Sequence, residues 1–122
     1  MATEETLDGG TLTTLEPGEL QAELATTVLI DVRTPQEYAL NHVEGALLVP
    51  LAELDPKRLP HGGDGVVFIC GSGVRSKKAA ARCFAAGARA AAHLGGGFGA
   101  WKSAGLPYRG VDPMTGAPKT MG

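Results

Sequence analysis

The chain has 122 residues, of which 43% are hydrophobic and 20% charged, and its formal net charge is -2. That length fits one domain able to bury roughly two-thirds of its unfolded surface, so neither a disulfide nor a metal is needed to hold it together. The small net charge gives no basis for a nucleic acid or an anionic membrane as partner, and no apolar run approaches the ~18 residues of a membrane span.

Residues 1–10 are acidic and polar. They read as a flexible leader, neither a secretory signal nor a mitochondrial presequence, which makes the cytoplasm the default location. Pro17 to Leu24 is expected to form a short helix, with Pro17 suited to its first turn. Val28-Leu29-Ile30-Asp31-Val32 is a continuous apolar run with one acid, the pattern of a strand buried on both faces. Thr34-Pro35-Gln36-Glu37 is a capping box opening a short helix through Leu40. Gly45 to Pro50 reads as a second short strand, Leu51 to Leu54 as a helical turn, and Pro56 to Asp64 as loop. Val66-Val67-Phe68-Ile69 is the clearest strand, broken by Gly71-Ser72-Gly73. Val74 to Ala86 then reads as a helix with Ala80, Cys83, Phe84 and Gly87 on one face. Ala90 to Leu94 is assigned as a strand despite its alanines, because Gly87 stops the helix. Phe98 to Ser103 forms a last helix ended by Gly105, and residues 109–122, with Pro113, Gly116 and Pro118, read as a tail. Strands alternating with helices over 11–108 predict an α/β three-layer domain, a parallel sheet with helices on both faces.

The chemistry concentrates in Val66 to Ser76. A buried strand delivers Cys70 at its C-terminal end, a loop with two glycines follows, and a helix begins. Ligands bind at that edge of open α/β sheets. Loop amides pointing inward form an anion nest, and the helix N-terminus adds unpaired N–H groups and a partial positive charge. A free cysteine is only about 3% thiolate at neutral pH. The nest, the helix terminus and Arg75 together are expected to make Cys70 mostly thiolate, hence nucleophilic.

Four blocks in order resemble the single-domain rhodanese family from about Gly18 to Tyr108. They are Leu29-Ile30-Asp31-Val32-Arg33 with Glu37-Tyr38; His42-Val43-Glu44-Gly45-Ala46 with Pro50; Cys70-Gly71-Ser72-Gly73-Val74-Arg75-Ser76; and Leu94-x-Gly96-Gly97-x-x-Ala100-Trp101. The resemblance implies a five-stranded parallel sheet flanked by helices. It also implies ping-pong sulfur transfer, from thiosulfate or a persulfide donor to a thiol or cyanide, through a persulfide on Cys70. Backbone N–H groups of Gly71, Ser72, Gly73, Val74, Arg75 and Ser76, with the Arg75 side chain, are expected to cradle the bound sulfur. A sulfur-relay protein is a further possible partner. Rival readings are a non-enzymatic persulfide carrier or interaction module and a Cys-based phosphatase. The four residues between Cys70 and Arg75 match the shorter, sulfurtransferase form of the loop. Gly71 stands where many thiosulfate-using relatives have a basic residue, which weakens the expected grip on thiosulfate. Asn41 replaces a frequent glycine, and Asn tolerates left-handed angles.

Asp31, Arg33 and Glu37 read as structural ion pairing near the sheet edge, and His42 as a structural hydrogen bond. His61 falls on an exposed loop, and His42, His61 and His93 form no zinc-spaced set with the cysteines, so no metal or cofactor is expected. Gly95-x-Gly97-x-x-Ala100 has the spacing of a dinucleotide fingerprint but no later βαβ unit, and is read as a tight strand-to-helix turn. Cys83 is read as core filler.

Overall fold

The computed structural model describes residues 1–122. Strand β1 (Thr3–Leu7) turns back into β2 (Gly10–Leu15), and helix α1 (Pro17–Glu23) follows. Then come β3 (Leu29–Asp31), α2 (Pro35–Leu40), β4 (Asn41–His42) and β5 (Leu47–Leu48). After three short 3₁₀ turns the chain enters β6 (Val67–Ile69), α3 (Val74–Ala85), β7 (Ala90–Leu94) and α4 (Gly97–Ser103), and closes with β8 (Tyr108–Val111) and β9 (Pro118–Met121).

The central sheet runs β1-β2-β7-β6-β3-β5. Its last five strands are parallel, as expected, and β1 adds an antiparallel sixth. Successive residues of a strand face opposite sides, and β6 shows this directly. Val66, Phe68 and Cys70 pack toward α3 with Ala79, Ala80, Cys83 and Phe84. Val67 and Ile69 join Leu20, Phe98 and Trp101 from α1 and α4 on the other face. Burial on both faces explains the unbroken apolar run.

Two expectations give way. The supposed leader is β1, and the supposed tail is the β8–β9 hairpin, which with β4 makes a small antiparallel sheet. Polar composition concealed both. β1 has only Leu7 partly buried, so it carries no hydrophobic pattern. Its turn did carry a signal: Asp8 and Gly9 both take positive φ, as a two-residue type I′ hairpin turn requires.

Candidate active site

Cys70 follows the last residue of β6, and its side chain is completely buried. Two glycines make the surrounding loop possible. Gly73 caps α3 with φ of 104° and aims its N–H at Cys70 Sγ, 3.0 Å away. Gly97 opens α4 with φ of 61°, and a Cβ there would lie 2.4 Å from the Cys70 carbonyl oxygen. That close approach lets Phe98 N–H donate to the Cys70 carbonyl at 2.7 Å and Gly99 N–H to the Gly71 carbonyl at 3.1 Å. The carbonyls of the loop are thereby turned outward onto α4.

Burial alone would raise the Cys70 thiol pKa. Hydrogen bonds from the Ser76 hydroxyl and from the amides of Ser76, Gly73 and Ser72 outweigh it, and the thiol lies below its ordinary value. Cys83, buried without such donors, is pushed up instead.

Arg75 is placed differently from the sequence expectation. Its guanidinium donates twice to the Glu37 carboxylate, at 2.7 and 2.9 Å, and this pair lies beside Gly71 rather than against Sγ. The Arg75 bonds, backed by Thr34, hold the Glu37 carboxyl at about 2 against desolvation. Glu37 is thus separate from the other expected ion pair. Arg33 clamps Asp31 through Nε and Nη2 at 2.8–3.1 Å, donates from Nη2 to the Asn41 carbonyl, and lies over the Phe98 ring. His42 Nδ1 meets the Tyr38 carbonyl at 2.8 Å and its ring stacks on Tyr38. Asp31, Arg33 and His42 therefore tie β3, α2 and α4 together without touching Sγ. Ser72 and Val74 face solvent on the loop.

The sequence reading missed His93 on β7 as a neighbour of the site. Buried, it reaches Ser76 Oγ with Nδ1 at 2.7 Å and Thr14 Oγ1 on β2 with Nε2 at 3.1 Å. Ser76 Oγ in turn lies 3.5 Å from Cys70 Sγ. The signal was its phase: His93 shares the α3-facing side of β7 with Ala91, a core position, and polar groups in core positions are hydrogen-bonded.

A family profile described as a rhodanese-like domain matches residues 16–104. A protein named a sulfurtransferase from Allochromatium vinosum is 36% identical over 88 residues, covering 70% of this chain and 81% of its own. An uncharacterized protein of Synechocystis sp. is 39% identical over 97 residues. The match covers 77% of this chain and 54% of the relative, so the chain spans about half the length of that protein. Among solved structures, a thiosulfate sulfurtransferase from Pseudomonas aeruginosa superposes with a TM-score of 0.68 at 31% identity, over 80% of this chain and 19% of that one.

Proposed function

The chain belongs to the rhodanese-like domain family, and from that premise we propose that it is a sulfurtransferase that carries sulfane sulfur on Cys70. The observation that carries the reading is a buried cysteine at a strand end with the Gly73 amide aimed at its sulfur from 3.0 Å, a donor that favours the thiolate. In the first half-reaction the Cys70 thiolate attacks the outer sulfur of thiosulfate or of a persulfide donor. A new S–S bond forms, the donor's S–S bond breaks, and sulfite or a thiolate leaves with the electron pair. In the second, cyanide or an acceptor thiolate attacks the outer sulfur of the Cys70 persulfide. The product is thiocyanate or a new persulfide, and the Cys70 thiolate is restored. The amides that lower the thiol pKa hold the negative charge of the persulfide in the same way.

Loop length and the placement of Arg75 support this chemistry over that of a phosphatase. Four residues separate Cys70 from Arg75, and the guanidinium is bonded to Glu37 instead of standing free for a phosphate. The test is the intact mass of the reduced protein after incubation with thiosulfate. Addition of one sulfur atom, absent in Cys70→Ser, is expected. A folded Cys70→Ser variant that still gained sulfur would exclude Cys70 as the carrier. Steady-state turnover with cyanide or a thiol then distinguishes an enzyme from a carrier that is loaded but does not turn over.

A further inference from the structure

The three claimants on the Ser76 hydroxyl are Cys70 Sγ at 3.5 Å, the Gly73 carbonyl at 3.2 Å and His93 Nδ1 at 2.7 Å. A hydroxyl has one hydrogen to give. The Gly73 carbonyl only accepts, and a thiolate only accepts. When Cys70 is ionised, the Ser76 hydrogen must point at Sγ for the serine to stabilise the anion. His93 Nδ1 then faces a lone pair of Oγ at the shortest distance in the cluster. That contact is favourable only if Nδ1 carries a hydrogen and donates it.

The other side of the ring completes the assignment. Burial disfavours the charged ring, and the neutral imidazole bears one hydrogen. With that hydrogen on Nδ1, Nε2 is an acceptor, and Thr14 Oγ1–H at 3.1 Å donates to it. Thr14 and His93 are partners in the parallel register of β2 and β7, so the backbone fixes this contact. The charged side chains that bear on the ring are Glu5 of β1 and Lys77 of α3. They are bonded to each other at 2.8 Å, so their fields oppose. The β6 residue paired with His93 is Phe68, which brings no charge.

We propose that His93 is a positioning residue: its Nδ1–H pins Ser76 Oγ so that the serine hydrogen points at Cys70 Sγ, while the Thr14 hydroxyl on Nε2 fixes which ring nitrogen bears the hydrogen. This rests on Cys70 as the nucleophile. Its test reads ionisation and not sulfur transfer, so the two fail separately.

The experiment follows the ultraviolet absorbance of the thiolate against pH in the full chain, with Cys70→Ser as blank to remove the Cys83 signal. Loss of the Nδ1 donor in His93→Phe frees the Ser76 hydrogen to turn to the Gly73 carbonyl. The thiolate fraction below the thiol's midpoint is expected to fall about tenfold, the scale of one hydrogen bond to a charged group. Ser76→Ala should fall at least as far, and His93→Gln, whose amide still donates, should recover part of the loss. A folded His93→Phe whose thiolate fraction falls less than about threefold overturns the proposal, as does an unchanged Ser76→Ala. If His93→Phe does not fold, ¹⁵N shifts of the His93 ring in the unsubstituted chain decide the matter. At a pH where Cys70 is ionised, a hydrogen on Nδ1 supports the assignment and one on Nε2 overturns it.

Discussion

Glu37→Gln removes one charge from the pair beside the Cys70 loop and leaves a side chain that still fits the capping box with Thr34. The carboxyl sits at about 2 in the folded chain against an ordinary 4.5. At 1.36 kcal/mol per pH unit that gap is an upper bound of about 3–4 kcal/mol. The two side chains are 35% and 37% exposed, however, and solvent screening reduces such a pair to about 1 kcal/mol. A protein of this size should then melt about 3–5 °C lower. The pH dependence follows from the direction. Because the folded carboxyl is the stronger acid, the pair stabilises fully above about 4.5 and its contribution disappears as pH falls to about 2. The unsubstituted chain should therefore lose part of its advantage over Glu37→Gln across that window. The variant also frees Arg75 for an anionic donor, so the thiosulfate KM should fall about two- to fivefold. Thermal unfolding at pH 7 and pH 3, with steady-state kinetics, tests this. Equal melting temperatures at pH 7, or a difference between the chains that does not shrink at pH 3, would refute the reasoning.

Cys83→Ala should keep sulfur transfer nearly intact and cost about 1–2 kcal/mol, because the buried Sγ fills space against Gly63 and α3 has no other use for it; chemical denaturation and turnover measure the two effects, and a Cys70–Cys83 disulfide mapped during turnover would contradict them. Gly71→Arg should lower the thiosulfate KM by about tenfold through a charge-assisted contact to the sulfonate. Gly71 does not lie at positive φ, and its added Cβ would meet the Arg75–Glu37 pair, Arg75 Nη2 at 3.2 Å and Glu37 Oε2 at 3.9 Å, so the guanidinium must shift by a few tenths of an ångström. An unchanged KM in the folded variant would end the argument that Gly71 weakens donor binding.

Local signals in the sequence located much of this architecture. The Thr34 capping box closes as read, with Thr34 Oγ1 accepting from Glu37 N–H and Glu37 reaching back to Thr34 N–H. The Ala90–Leu94 strand, assigned against alanine's helical preference, has those bounds because β2 and β6 pair on either side of it. What stayed hidden depends on contacts distant in sequence. Glu37 meets Arg75 across 38 residues, and His93 meets Thr14 across 79. Neither partner can be read from periodicity: the second contact follows from the β2–β7 register, and the first joins the helices that follow the neighbouring strands β3 and β6. The β8–β9 hairpin was masked because Pro113 and Gly116, which read as tail, lie in its turn.

The acidic first strand has a consequence for assembly. A parallel sheet ending at β2 would present a row of free backbone groups to any other extended chain. β1 occupies that row, and it carries the exposed Glu4 and Glu5 on opposite faces of the strand, whose desolvation opposes a seventh strand from a neighbouring molecule. At the opposite end β5 is only two residues long, too short to template addition. Both ends of the sheet are thus guarded against intermolecular β-pairing, one by charge and one by brevity, and truncation of residues 1–9 should expose a growth edge for aggregation.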